Sequence, residues 1–272
     1  MKYLTKEWYK ISNLTDLHFD LEAIDEAADK DDDLFRSLYE DQEYQFVEEE
    51  RAEHDFDPRE LFDEENYPED FDLHGFLAEE AAFVEQTIFD YDNRGPFSEE
   101  DSKKLFAQIY DIRLKQAQED LPKEIYKQIA DPRVFALGFT TDEIYEAVRD
   151  FSVQNNRYTQ QVLEKYEEIE RKQNIPQNLR RRLNFHDCKI IGWLTQGTDL
   201  VLTLDNEGGF TDDNRITFRD VTVLNDENIL NLFWIYEELY KTKDGYEIHI
   251  LCDGERLAEL NLLCSDIRIE EI

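Results

Sequence analysis

Two regimes of hydrophobic spacing meet near Pro176. Ahead of it apolar residues return every three or four positions, as on a helix face; beyond it they alternate, as along a strand. Leu34, Leu38 and Tyr39, followed by Phe46 and Val47, predict one helix, and Asp31-Asp32-Asp33 just ahead supplies a cap and carboxylates that suit the positive end of its dipole. After the turn Arg94-Gly95-Pro96-Phe97, Ser98 and Asp101 open a second helix with Leu105, Ile109 and Ile112 on one face and Phe106, Tyr110 and Leu114 beside it. It stops before Leu121-Pro122, and a short helix follows around Glu124 to Ala130. Thr140 and Glu143 have capping-box spacing, and neither Gly nor Pro occurs again until Pro176. That predicts about 30 helical residues, about 45 Å long, with Val148, Phe151, Tyr158, Val162 and Ile169 near one face, expected to brace the acidic half.

Beyond Pro176 the strands read as His186 to Leu194, Asp199 to Leu204, and Arg215 to Arg219 running into Val221 and Val223. Asp244-Gly245 joins Tyr236–Thr242 to Tyr246–Cys252 as a hairpin, because such a turn needs the positive φ that this dipeptide adopts at little cost. Asp253-Gly254 leads to a further strand over Leu257 to Leu263. Residues 229–240 also fit a buried helix, but their aromatic and β-branched content favours a strand. The fold class is α+β: a mainly helical acidic domain over 1–175, then an antiparallel β domain over 176–272, a meander of six or seven strands.

Composition changes this picture chiefly through charge. The 272 residues carry 66 acidic and 30 basic side chains, a net −36. Residues 1–100 hold −25 of it, 101–175 hold −2 and 176–272 hold −9. An acidic tail of that kind is usually disordered, but 17 aromatic residues in the first hundred argue for a folded region. The sign opposes direct binding to nucleic acid or to an anionic membrane and favours a basic protein partner. No apolar run approaches the 18 to 20 or so residues of a membrane span, and the N-terminal residues lack a signal-peptide core, so a cytoplasmic protein is expected. Cys188, Cys252 and Cys264 lack C-x-x-C pairing and read as buried free thiols.

Candidate chemistry is sparse. His186-Asp187 has the composition of an acid/base pair, although such a pair at a strand start more often satisfies backbone groups. Residues 205–214 (Asp-Asn-Glu-Gly-Gly-Phe-Thr-Asp-Asp-Asn) are rich in hard oxygen donors but lack the spacing of a calcium loop. Glu50 and His54, four apart on a helix, with Glu49, Glu53 and His74 near, are the best metal candidates, yet no matching helix supplies the other half of a centre. Arg180-Arg181-Arg182 reads as an intramolecular partner for carboxylates. Nucleotide-binding, hydrolase and zinc-peptidase motifs are absent, and no cofactor is expected.

The segments Met1-Lys2-Tyr3-Leu4-Thr5-Lys6-Glu7-Trp8-Tyr9, Arg133-Val134-Phe135-Ala136-Leu137-Gly138, Asn184-Phe185-His186-Asp187-Cys188 and Gly208-Gly209-Phe210-Thr211-Asp212 resemble a family of bacterial proteins of unknown function over nearly the whole chain. The C-terminal part is also similar to small β domains of toxin-system immunity proteins. The first resemblance implies no reaction; the second implies a binding role. The chain therefore reads as a binding protein rather than an enzyme, an immunity protein or inhibitor that meets a basic partner through Glu48, Glu49, Glu50, Asp63, Glu64, Glu65, Glu69 and Asp70. A metal-dependent enzyme, or acidity that serves only solubility, are the alternatives.

Overall fold

The computed structural model describes residues 1–62, 72, 75 and 81–272. Helices lead and strands follow, and the chain forms two compact units, Phe19–Val148 and Met1–His18 with Arg149–Ile272. The division between these units falls inside one helix, Asp142–Lys172, and the first eighteen residues belong with the strands.

In the unit Phe19–Val148, helix α2 (Asp32–Asp55), which follows α1 (Lys6–Ser12) in the chain, starts where the aspartate run predicts. The Asp31 carboxylate accepts from the Asp33 and Leu34 amides. Helix α3 spans Ala81–Asn93, and α4 (Glu99–Asp120) is capped by Ser98, which accepts from Asp101 N. After α5 (Lys123–Tyr126), α6 (Pro132–Ala136) begins with proline in its first turn, where the missing N–H costs nothing. Phe35, Leu38, Tyr39 and Phe46 of α2 pack on Phe106, Tyr110 and Leu114 of α4 and on Ala136 and Leu137. A two-residue parallel bridge joins β1 (Glu22–Ala23) to β2 (Phe139–Thr140). Gly138 between them has φ +89°, and a Cβ there would stand 2.7 Å from the Asp20 carbonyl oxygen, so glycine is required.

Thr140 does not cap the long helix α7 (Asp142–Lys172). Its backbone is committed to β2, where its carbonyl accepts from Ile24 N, and Thr141 caps instead, with Oγ1 3.4 Å from Ile144 N. The inward stripe of α7 is also not wholly apolar: Ser152 and Thr159 are buried with Val148 and Tyr166, while Tyr158 is exposed. Beyond Arg149 the helix serves the sheet unit, with Val162, Leu163, Tyr166 and Ile169 packed among Leu4, Trp8 and Tyr240.

That unit continues through α8 (Gln177–Arg182) into an antiparallel sheet of eight segments: β3 (Lys189–Gln196), β4 (Asp199–Asp205), β5 (Arg215–Arg219), β6 (Thr222–Asp226), β7 (Phe233–Lys241), β8 (Tyr246–Asp253), β9 (Ala258–Cys264) and β10 (Asp266–Glu270). Residues 233–240 are strand. The order β10-β5-β4-β3-β7-β8-β9-β6 is not a simple meander. Asp220 and Val221 alone separate β5 from β6, and Ser265 alone separates β9 from β10; at this shared bend Ser265 N donates to Arg219 O and its hydroxyl to Asp220. β5 and β6 thus act as one bent strand, paired with the bent strand β9 and β10. With β3 paired to both β4 and β7, the pairings return to their start, and the sheet closes as two three-stranded meanders joined along both edges.

The interior is apolar, with Ile190, Leu202, Ile216, Phe218, Trp234, Ile248, Ile250 and Leu260 fully buried, and Leu179, Leu183 and Phe185 belong to the same core. The arginine run works within this unit. Arg180 donates to the Glu170 and Gln173 carbonyls at the end of α7, and Arg182 forms a two-pronged pair with Asp213.

Candidate functional site

Three consecutive glutamates cannot share one helix face, since successive side chains diverge by about 100°. In α2 Glu48 and Glu49 point to solvent and Glu50 sits half-buried on the shoulder. Among the exposed positions of the helix, Ser37, Glu40, Asp41, Tyr44, Gln45, Glu48, Glu49, Ala52 and Glu53 follow the i, i+3, i+4 rule. They form a continuous stripe, about 20 Å from Glu40 to Glu53 at 1.5 Å per residue. Tyr44 lies at its centre, 66% exposed. Arg51 pairs with Glu48 at 3.3 Å and with Glu99 at 3.4 Å. Glu40, Asp41, Glu49 and Glu53 make no ion pair among the described residues. The opposite face holds the helix in place: Val47 is buried, and Gln42 donates to the Leu137 carbonyl at 2.7 Å. At the start of α2 Arg133 bridges Asp32 and the buried Asp131 and stacks on Phe35, 4.6 Å from the ring centre. Asp63, Glu64, Glu65, Glu69, Asp70 and His74 lie outside the described residues.

The unit Phe19–Val148 carries 40 acidic and 12 basic residues, net −28, while the sheet unit carries 26 and 18, net −8. The excess charge is thus a property of the helical unit, and α2 presents a strip of it around an exposed aromatic ring.

The Glu50/His54 pair does not assemble into a metal site. His54 Nδ1 lies 2.8 Å from the Asp55 carboxylate, and Nε2 lies 2.9 Å from the Gly95 carbonyl oxygen, to which it donates. Both contacts raise the imidazole pKa, Asp55 most, so both nitrogens are occupied and the ring is biased toward its charged form. No group of three ligating side chains suited to a metal ion occurs among the described residues.

His186 and Asp187 are brought together, in a turn closed by Cys188 N donating to Phe185 O. Asp187 has φ +66°, and its amide donates to the Trp234 carbonyl, so the backbone twist belongs to the junction of β3 and β7. His186 Nδ1 is 3.0 Å from Asp187 Oδ2 without hydrogen-bond alignment, and the ring stands edge-on to Tyr236 at 5.6 Å. Cys188 is fully buried, and desolvation first, then Asp187 and Asp205, push its thiol up to about 11, which removes it as a nucleophile.

The loop after β4 packs on this turn: a Cβ at Gly209 would meet Cys188 Sγ at 2.4 Å. Several of the loop's side chains are engaged within the fold. Asp205 accepts from Glu207 N, Asn206 donates to the Thr211 carbonyl, and Asp213 is held by Arg182. The motifs Phe185-His186-Asp187-Cys188 and Gly208-Gly209-Phe210 are therefore two halves of one packing contact.

Sequence reasoning missed a buried polar cluster on the outer face of the sheet. Glu238, wholly buried, accepts from the amides of Lys2 at 2.8 Å, Tyr3 at 2.7 Å and Leu4 at 2.6 Å, and from the Tyr240 hydroxyl at 2.7 Å. The available signal was the pair Glu237-Glu238 inside an aromatic strand, where alternation must turn one of the two against each covered face.

No helix among the described residues is long and apolar enough to cross a membrane. No curated protein and no solved structure matches the chain. A family model described as "Protein of unknown function (DUF4085)" matches residues 77–261, a span that begins after α2 and ends within β9. That span covers more than half of the chain, and the chain belongs to this uncharacterised family.

Proposed function

We propose that the chain is a non-catalytic binding protein that engages a basic protein partner through the helical unit, with the outward face of α2 as the contact strip. The observation that carries this reading is the row of carboxylates without ion pairs among the described residues, Glu40, Asp41, Glu49 and Glu53, around an exposed Tyr44. Separated carboxylates of one sign on a unit of net −28 steer a cationic protein toward the face. A half-rigid aromatic ring gives the encounter an anchor that charge alone lacks. Such a surface suits an inhibitor or immunity protein that occupies the cationic groove of a toxin, with Glu48 and Glu49 standing where phosphates would lie.

The test is capture from host lysate at low salt on immobilised full-length protein. Wild type is compared with Tyr44→Ala and with a Glu48→Lys/Glu49→Lys double variant, both exposed changes that leave the fold intact. The reading expects one basic protein retained stoichiometrically by the wild type and lost from both variants. Retention of nothing, or equal retention by the charge-reversed protein, overturns it.

A further inference from the structure

The outer face of the sheet carries Glu238 and Tyr240 on β7, Glu247 and His249 on β8, and Glu259 and Asn261 on β9. The registers place Glu238 beside His249, Tyr240 beside Glu247, and His249 beside Asn261. Residues 1–12 lie over this face as a basic strap. Besides the three amides held by Glu238, Lys2 Nζ reaches Glu247 at 3.0 Å, the Met1 amine reaches Glu259 at 2.8 Å, and Lys6 reaches Glu227 at 2.5 Å. Further along, Trp8 is buried edge-on against Tyr236 at 5.1 Å, and the Tyr9 hydroxyl donates to Asp253 at 3.0 Å.

His249, 5% exposed, sits at the centre of this arrangement. Its Nε2 lies 2.7 Å from Glu247 Oε1 and so carries the proton of the neutral ring. Its Nδ1 is buried, makes no hydrogen bond among the described residues, and lies 3.8 Å from Glu238 Oε2. That oxygen already serves Lys2 N and the Tyr240 hydroxyl. A proton added at Nδ1 faces Glu238 Oε2, the oxygen that holds Lys2 N, while the other oxygen of the same carboxylate holds the Tyr3 and Leu4 amides.

We propose that residues 1–12 form a strap gated by His249: the neutral imidazole leaves Glu238 free to hold the Lys2, Tyr3 and Leu4 amides, and protonation releases them. Two effects act together. An Nδ1–H competes with Lys2 N and Tyr240 for Glu238 Oε2, and the new charge is buried near the Met1 amine and Lys2. The facing groups that favour the proton are Glu238 on β7, Glu247 on the same strand and Glu259 on β9; Tyr240 presents its ring at 5.7 Å, and Asn261 is neutral. Burial outweighs these carboxylates and holds the His249 pKa below the ordinary imidazole value. Closure therefore binds protons less well than the open state. The strap is fully held above the ordinary imidazole range and is lost as pH falls through it. Release uncovers Tyr236 and Tyr240, which line the floor beneath Trp8 and Leu4.

Amide hydrogen exchange on the full chain between pH 7.5 and 5.0, corrected for intrinsic rates, reads the gate directly. The protection of Tyr3 and Leu4 is expected to fall below about pH 6.5, with a slope approaching the one-proton limit of about tenfold per pH unit, while Ile250 and Leu260 keep theirs. His249→Gln, which never charges, should flatten the profile. Protection at Tyr3 and Leu4 that is independent of pH, or that falls equally in His249→Gln, overturns the proposal. Should that variant fail to fold, the His249 ring signal followed by NMR in the wild type replaces it: a titration that coincides with loss of the Tyr3 and Leu4 amides supports the gate, and one without it refutes the gate.

Discussion

Glu237 is a carboxyl group on the wrong side of a strand. Its register partner Ile250, and its neighbour but one Leu239, belong to the sheet interior, so Glu237 shares their face. Its one hydrogen bond among the described residues comes from the Trp234 indole N–H at 2.8 Å. Desolvation, with Glu170 adding a smaller push, moves its pKa from 4.5 up to about 7. A raised carboxyl pKa means that the folded state keeps a proton which the unfolded chain has released. Stability is therefore untouched below pH 4.5, falls as pH rises from there, and levels off above about 7. At about 1.4 kcal/mol per unit, the shift corresponds to about 3 kcal/mol, and the residue's partial exposure trims this to about 2 to 3 kcal/mol. Glu237→Gln keeps an oxygen for Trp234 and removes the charge. Trp8, Trp193 and Trp234 all lie in the sheet unit, so urea unfolding followed by tryptophan fluorescence reports on that unit alone. The variant should be more stable than wild type by about 2 to 3 kcal/mol at pH 8 and equal to it at pH 4.5. A variant that is no more stable at pH 8, or equally stabilised at both values, refutes the burial argument.

Three further outcomes follow from local geometry. Gly209→Ala drives a methyl group into Cys188 Sγ and should destabilise the sheet unit by about 2 kcal/mol, while Cys188→Ala in the same chain should restore a large part of the loss in a double-mutant cycle. Arg133→Met leaves the 2% exposed Asp131 without its cation and should cost the helical unit about 2 kcal/mol, read as a lowered midpoint in the loss of helical circular dichroism. The thiols of Cys188 and Cys264, pushed up to about 11 and about 12 by burial, and that of the equally buried Cys252, should not react with a thiol reagent at pH 8 until the protein is denatured.

The legible parts of this fold are those written in local sequence. The Asp31 and Ser98 caps, the stop before Pro122, the unbroken helix up to Lys172 and the Asp-Gly hairpin each rest on residues within a few positions of one another. Thr140 misled because a two-residue bridge to Glu22–Ala23, over a hundred residues away, claims its backbone and leaves the cap to Thr141. Closure of the sheet was hidden for the same reason. β10 is only five residues long, and its pairing with β5 follows from a bend at Ser265 and Asp220 that carries no hydrophobic signature. The strap over Glu238 joins residues more than 230 positions apart, and although Lys2, Lys6 and Lys10 make Met1–Ser12 basic, nothing within that segment names the distant carboxylates it meets. At the proposed contact face, the sequence supplied the acidic run and its sign, while the helix geometry sorted it, keeping Glu48 and Glu49, turning Glu50 aside and adding Glu40, Asp41, Glu53 and Tyr44.

The central claim is that an acidic helix face recruits a basic partner by steering. The most direct measurement is the association rate of the captured partner with full-length protein as salt rises from about 20 to 150 mM, over which the screening length shortens to about 8 Å. The account predicts an association rate that falls at least tenfold while the dissociation rate changes little. An association rate indifferent to salt would contradict it.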